Sequence, residues 1–209
     1  MNRKQLDILF AGGGIVVALL LLVLGFVLHD QASFAHDYVK DELGSQKITF
    51  APADKLTDEE KNWKPGSKCL VEYAGELMET GKQAECYAKF YIGKHMDASA
   101  AGAGFPGETY ATLGTIRTDL AAEVKTAKDA GNTAAADEAQ AKLDKATSLR
   151  STLQTGETLR GLLLTSYGFS IFGEKAALAA DVCYIAAVVL LILGIAGFVH
   201  AFAGANRRT

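Results

Sequence analysis

The chain has 209 residues, of which 49% are hydrophobic and 22% are charged, and its formal net charge is −3. These averages are ordinary for a protein, but the apolar residues are concentrated at the two ends. Between the ends, residues 30–175 contain 22 acidic and 17 basic residues. This negative charge argues against nucleic acid, or an anionic lipid surface, as a partner of the central region.

Residues 8–28 are predicted to form a first transmembrane helix. They include no charged residue, and at 1.5 Å per residue they are long enough to cross a hydrocarbon core of roughly 30 Å. The alternative is a cleaved signal peptide, since Ser33-Phe34-Ala35 is an acceptable cleavage site. The apolar region of a signal peptide usually has about 7–15 residues, so the length favours an uncleaved anchor.

The region after the first span is predicted to be helical with one irregular loop. Residues 31–50 continue the first helix outward until Gly44 breaks the apolar spacing. Residues 51–69 have the prolines and charges of a surface loop, and Trp63 is expected to anchor it either on the domain or at the membrane surface. Residues 70–96 have apolar spacings of three and four, which indicate helices.

Residues 109–160 follow a glycine-rich turn and are rich in Ala, Lys, Asp, Glu and Leu. A break at Ala130-Gly131-Asn132 predicts antiparallel helices, with a helical hairpin at residues 115–155. Because its apolar residues are mostly alanine, we expect the hairpin to bury little area and to be a solvated spacer, exposed or packed on a partner. Residues 161–173 are uncharged but too few to span a membrane, which predicts a helix at the membrane interface or facing the core.

A second transmembrane helix is predicted at residues 176–203, where Asp181 and His200 interrupt the apolar run. A carboxylate within a span is a functional hypothesis. Asp181 is near the outer boundary, however, where water or Lys175 could reach it as an ordinary interfacial residue. Both spans also contain small residues that let helices pack closely. They are Gly12, Gly13, Gly14, Ala176, Ala177, Ala179, Ala180, Gly194 and Gly197.

Basic residues at the chain ends predict the orientation, because Lys and Arg close to a span stay on the cytoplasmic side. Two precede the first span and two follow the second: Arg3, Lys4, Arg207 and Arg208. Residues 1–7 and 204–209 are therefore expected in the cytoplasm, and residues 29–175 outside the plasma membrane. The predicted fold class is an all-α membrane protein with two transmembrane helices and an extracytoplasmic helical domain that contains the hairpin.

Two of the three cysteines, Cys69 and Cys86, lie in the central region. In an oxidising compartment such a pair normally forms a disulfide. The alternative is a Cys-His metal site, but zinc usually takes closely spaced ligands such as C-x-x-C. We predict a Cys69–Cys86 disulfide. Cys183, within the second span, is expected to be a small buried apolar residue.

Four segments carry a family resemblance: VKDELGSQKITF (39–50), YAGELMETGKQAECYAKFYIGKHM (73–96), GETYATL (107–113) and LRGLLLTSYGFSIFG (159–173). Together they resemble a family of small actinobacterial membrane proteins with two terminal spans. The resemblance covers most of the chain apart from the alanine-rich hairpin. The family has no established function, and some members carry the label aromatic ring-opening dioxygenase. Where the family has a Gly-Lys-Thr-Tyr-like motif, this chain has Glu108 in place of the lysine, so no role of that lysine is expected here.

A non-haem iron dioxygenase needs two histidines and a carboxylate around one open metal position. Two of the four histidines adjoin the spans, which leaves His36 and His95, with Asp37 or Asp97 as the carboxylate. Nothing in their spacing marks them as ligands, and solvent-exposed or hydrogen-bonded residues are the ordinary interpretation. We therefore predict no catalytic residue, metal ion or cofactor.

These features predict a non-enzymatic integral membrane protein that lies in the lipid bilayer. Its extracytoplasmic helical domain is expected to contact another protein, as an accessory subunit of an envelope or respiratory complex, with a membrane protein or a second copy of the chain as partner. The rival hypothesis is an extracytoplasmic metal-dependent enzyme or small-ligand-binding protein that uses His36 and His95.

Overall fold

The computed structural model describes residues 3–203, so the predicted cytoplasmic segment 204–209, with Arg207 and Arg208, lies outside the described residues. The described residues are helical with no β-strand, and two helices are long and apolar enough to cross a membrane, which confirms the predicted all-α fold with an apolar helix near each end and a helical domain between them. The helices are α1 (Arg3–Ser45), α2 (Asp58–Asn62), α3 (Cys69–Glu72), α4 (Gly81–Cys86), a π-helical segment (Tyr87–Ile92), α5 (Gly93–Gly102), α6 (Thr112–Asp129) and α7 (Thr133–Ala203).

The described residues divide into two compact units. The span unit consists of residues 3–40 and 169–203, and the central unit is Asp41–Gly168. α7 is one helix of 71 residues, so residues 161–173 are helical and lead into the second span, but they are not a separate helix. The glycines in that stretch do not end the helix, because a single glycine costs only about 1 kcal/mol relative to alanine and its neighbours are good helix formers.

A seam of small residues joins α1 and α7 in the span unit. Its members are buried and recur every seven residues: Ala11, Ala18, Gly25 and Ala32 on α1, and Gly173, Ala180, Ala187, Gly194 and Ala201 on α7. Gly194 and Gly197 lie against Ala11, whereas Gly173 lies against Ala35, so the helices run antiparallel. A seven-residue repeat of small side chains lets two backbones approach closely with a small left-handed crossing angle.

The prediction that glycines let the spans pack closely is confirmed at only some positions. A Cβ added at Gly194 would lie 2.7 Å from a side-chain carbon of Ile15 and 3.2 Å from the carbonyl oxygen of Ala11, so the site has no room for a larger residue. At Gly13 and Gly14 an added Cβ would meet nothing within 4 Å. Those two glycines therefore do not contribute to the seam.

The hairpin formed by α6 and the start of α7 belongs to the hydrophobic core, so the prediction of a solvated spacer is wrong for its base. The buried cluster combines α5, α6 and α7: Ala100, Leu113, Leu120, Ala146, Leu149 and Leu153. The alanines allow the helices to approach, and each leucine then fills the space between them. At the tip, Ala130-Gly131-Asn132 is exposed, and so are the outer faces of the two helices.

Two short segments of the central unit pair antiparallel beside α1. Phe50 accepts a hydrogen bond from the amide of Gly75 at 3.2 Å and donates to the carbonyl of Glu76 at 2.9 Å, while Met78 donates to Ile48 at 2.8 Å. Phe50 and Met78 are fully buried. These bonds satisfy the backbone of a stretch that has no helix of its own.

The predicted irregular loop at residues 51–69 contains the short helix α2. A capping box begins it: the Thr57 hydroxyl accepts from the amide of Glu60, and the Glu60 carboxylate accepts from the amide of Thr57 at 2.8 Å. The Thr-x-x-Glu spacing is a sequence signature of a helix start. The helix was predictable from the sequence on that signal.

Candidate functional site

The predicted disulfide between Cys69 and Cys86 is present, with the two Cα atoms 6.1 Å apart. It links α3 to the end of α4. In the chain-entropy account a closed loop of this size stabilises the folded state by roughly 3 kcal/mol. It holds the turns after α2 against the π-helical segment that begins at Tyr87.

The π-helical segment Tyr87–Ile92 is held to α7 by Arg160. The carbonyl oxygen of Ala88 accepts the amide of Gly93, five residues on, and also the Nε–H of Arg160 at 3.2 Å. The same guanidinium binds the carboxylate of Glu157 at 2.8 Å. Such wide turns within helices are frequent at functional sites.

A cleft of about 220 Å³ lies beside this segment, within the central unit. Its walls come from the residues after α2, from the π-helical segment, from α5, from the loop before α6 and from α7. Three cations and three carboxylates line it together with three large apolar side chains; they are Lys64, Lys89, Arg160, Asp97, Glu108, Glu157, Trp63, Met96 and Leu153.

Most of the charges in the cleft are paired. Lys64 lies 3.8 Å from Asp97, and its ammonium sits 3.7 Å from the centroid of the Trp63 ring. Arg160 pairs with Glu157 on the same helix, one turn away. Exposed pairs of this kind add little stability, but they fix the positions of the charged groups around the opening.

Trp63 packs on the central unit, which decides between the two anchoring sites predicted for it. A Cβ added at Gly93 would lie 3.3 Å from the indole ring, so glycine leaves space for the tryptophan there. The sequence did not predict that Arg160, Glu157 and Met96 belong to this site, because they are distant from Trp63 along the chain. One feature of the sequence pointed to part of the site: Glu157 and Arg160 are three residues apart, a spacing at which oppositely charged side chains pair on a helix.

The two histidines of the rival hypothesis lie in different units. His36 is in the span unit, where its Nδ1 is 3.3 Å from the carboxylate of Asp37. His95 is in the central unit, with Nδ1 2.8 Å from the carbonyl oxygen of Tyr91 and Nε2 4.0 Å from the carboxylate of Glu60. Over residues 3–203, no three His, Cys, Asp or Glu side chains are grouped so that they could hold a metal ion.

Glu60, whose carboxylate lies near His95, caps the start of helix α2. The hydrogen bond from the backbone amide of Thr57 is the main reason that the pKa of the Glu60 carboxyl is lowered, and the Thr57 hydroxyl, His95 and Lys94 lower it further. The carboxylate form is therefore favoured where it caps α2. The groups around His95 thus have a structural explanation.

An exposed aromatic cluster lies in the span unit. We name it the Phe34 cluster; it consists of the rings of Phe34, Tyr38 and Phe169, which contact one another, and of Phe172, which is exposed three residues further along α7. The ring of Phe169 meets Phe34 edge-on at 6.4 Å and Tyr38 edge-on at 5.8 Å between centroids. Phe34 is 56% exposed and Phe172 is 76% exposed.

The Phe34 cluster lies beyond the apolar part of the spans. Phe34 follows Leu28, the last residue of the charge-free run on α1, by six residues, or about 9 Å of helix. Phe172 precedes Ala176, where the predicted second span begins, by four residues, or about 6 Å. The headgroup layer adds roughly 5–8 Å to each side of the hydrocarbon core. These rings therefore extend past the depth at which lipid chains would cover them.

The structure shows how exposed Asp181 and Cys183 are within the second span. Asp181 is exposed on α7 and Cys183 is half-buried, so Cys183 is less buried than predicted. Helical spacing directs Asp181 away from the small-residue seam, which contains its neighbour Ala180. A functional role for Asp181 stays a prediction.

Neither a protein family, nor a curated protein, nor a solved structure matches this chain.

Proposed function

We propose that this chain is a non-enzymatic membrane protein whose extracytoplasmic part binds another membrane protein, as an accessory subunit of an envelope or respiratory complex. The observation that carries the proposal is the Phe34 cluster. It presents four large aromatic side chains at a height where neither the hydrocarbon core nor the fold covers them. Exposed apolar patches beside polar residues mark protein interaction sites.

The position of the cluster favours a partner with its own transmembrane segment. On α7 the apolar residues Leu178 and Val182, which follow Phe172 toward and into the span, are also exposed. A partner helix that lies against this face would cover the aromatic rings outside the bilayer and the aliphatic residues inside it. Aromatic side chains supply much of the binding energy of protein interfaces.

The extracytoplasmic side is supported by the disulfide and by the basic residues at the N-terminus. Disulfides persist in oxidising compartments, and Cys69–Cys86 lies in the central unit. Arg3 and Lys4 precede the first span and favour a cytoplasmic N-terminus. With two spans, both termini are then cytoplasmic and the central unit is outside, in keeping with the resemblance to the two-span actinobacterial family.

The proposal is tested by purifying the affinity-tagged chain from its native membranes in a mild detergent and identifying co-purifying proteins by mass spectrometry. Phe172→Ser removes an exposed ring without disturbing the seam. Burial of one phenylalanine contributes about 1.5–3 kcal/mol, so partner recovery should fall by roughly tenfold or more. Val71→Ser is the control, because Val71 is an exposed apolar residue of the central unit.

Four results would contradict the proposal. Purification of the wild-type chain alone is one, and equal partner recovery from wild type and Phe172→Ser is another. A stoichiometric bound metal ion, which elemental analysis of the same preparation would detect, would favour the rival hypothesis based on His36 and His95. Recovery of a second copy of the chain as the only partner would make it a homo-oligomer instead of an accessory subunit.

A further inference from the structure

The cleft beside Trp63 contains one carboxylate without a partner. Glu108 is half-buried at the wall of the cleft, and its side chain makes no hydrogen bond or ion pair within the described part of the chain. The other two lining carboxylates, Asp97 and Glu157, are paired with Lys64 and Arg160. A half-buried carboxylate in a concave site favours a cation that comes from outside the fold.

The cations of the cleft do not satisfy Glu108, because each is bound elsewhere. Lys64 lies between Asp97 and the ring of Trp63. Lys89 pairs with Glu85, which lies outside the cleft, and Arg160 is divided between Glu157 and the carbonyl of Ala88. Counting Glu85, four carboxylates thus face three cations. The charge left unbalanced is negative and belongs to Glu108.

The size and walls of the cleft limit what it can hold. Its volume of about 220 Å³ is below the range of about 300–1,000 Å³ that is typical of drug-sized ligands. The indole of Trp63 and the thioether of Met96 provide apolar wall beside the charges. An aromatic wall next to a carboxylate is the combination that binds the stem and head of a long basic side chain.

We propose that this cleft binds a single cationic group, a guanidinium or an ammonium, with Glu108 as its ion-pair partner and Trp63 as its apolar wall. The cleft lies in the central unit and the Phe34 cluster in the span unit, so this site is independent of the proposed partner surface. The same chemistry could be supplied by a basic residue of a peptide or by a small free cation.

Trp63 allows a direct test, because it is the only tryptophan in the chain. The full-length chain in detergent micelles is titrated with the capped tripeptide Ala-Arg-Ala, with capped Ala-Glu-Ala and with methylguanidinium, and the emission of Trp63 is recorded. The arginine peptide should change the emission saturably, with a dissociation constant in the millimolar range that is typical of one side chain. The glutamate peptide should produce no saturable change.

The variant Glu108→Gln removes the charge and keeps the shape, and it should weaken binding of the arginine peptide by about tenfold. Glu123→Gln is the matched control, because Glu123 is an exposed glutamate on α6 outside the cleft, and it should bind like the wild type. Circular dichroism of each variant shows that its helices are retained.

Tighter binding of the tripeptide than of methylguanidinium would identify a peptide as the source of the cation, and equal binding would identify a small free cation. The proposal is overturned if neither cation gives a saturable change in the wild type. It is also overturned if Glu108→Gln binds the arginine peptide as tightly as Glu123→Gln does, or if the glutamate peptide binds equally well.

Discussion

Arg160 donates a hydrogen bond from its Nε to the carbonyl oxygen of Ala88, at 3.2 Å, across 72 positions of sequence. The bond joins the middle of the longest helix to the π-helical segment that follows the disulfide. This hydrogen bond connects α7 to the short helices that the disulfide links, and residues of both line the cleft. Arg160 therefore contributes to holding the cleft together.

Replacement of Arg160 by methionine should lower the free energy of unfolding by about 1–3 kcal/mol, the range for a hydrogen bond made by a charged group. The emission of Trp63 during denaturation by urea measures the loss. Arg117→Met is the control, because Arg117 binds Thr147 on an exposed face of the hairpin, and its effect should stay within about 0.5 kcal/mol. Equal effects of the two substitutions would contradict the role given to Arg160.

The Cys69–Cys86 disulfide should be found in native membranes. Alkylation of free thiols before lysis, followed by non-reducing peptide mapping, should recover the two cysteines as one linked peptide pair. Replacement of both by serine should lower the free energy of unfolding by roughly 3 kcal/mol. Without the cross-link the unfolded chain has more conformational entropy, which favours unfolding. Recovery of both residues as alkylated thiols would show that the central unit faces a reducing compartment.

Leu153→Ala should destabilise the central unit by about 2–5 kcal/mol, because the leucine is buried in the cluster that joins α5, α6 and α7. Thr152→Ala, at the adjacent exposed position, should change stability by less than about 0.5 kcal/mol. Thermal unfolding followed by circular dichroism separates the two. A Leu153→Ala variant as stable as Thr152→Ala would restore the description of the hairpin as a solvated spacer.

Gly194→Val should push the two spans apart, since an added Cβ already lies 2.7 Å from Ile15. The variant Ala11→Cys/Gly197→Cys, made in a Cys183→Ala background, reports the distance between the two helices. An ideal Cβ at Gly197 lies 3.1 Å from the Cβ of Ala11. Oxidation should cross-link this pair once the helices relax by a few tenths of an ångström, to the roughly 3.5–4.5 Å between Cβ atoms of a disulfide. Gly194→Val should reduce the cross-linked yield several-fold, whereas Gly13→Val should not, because nothing lies within 4 Å of its added Cβ.

Both termini should be cytoplasmic and the hairpin tip external. A reporter that is active only in the cytoplasm should work when fused to either end, and a reporter that is active only outside should work when inserted at Gly131, where the backbone is exposed. The expectation rests on Arg3 and Lys4 before the first span. Cytoplasmic activity of the Gly131 insertion would reverse the topology.

Features that depend on neighbours in sequence were determined by the sequence itself. The candidate spans at residues 8–28 and 176–203 follow from long apolar runs, of which only the second is interrupted, by Asp181 and His200. Such a helix needs no distant part of the chain to match the bilayer. The disulfide followed from Cys69 and Cys86 being the two cysteines of the central region. The seven-residue repeat from Ala11 to Ala32 was likewise present in the sequence, since the helical period places those residues on one face.

Only the tertiary structure decided which distant side chains meet. The base of the hairpin appeared solvated because alanine is a weak indicator of burial, yet α5 packs against it at Ala100 and Leu153. The pairings of Lys64 with Asp97 and of Arg160 with Ala88, which leave Glu108 without a partner, join segments 33 and 72 residues apart. No local pattern encodes such contacts, because each forms only after loops close and helices pack, and the free energy that selects it belongs to the assembled core.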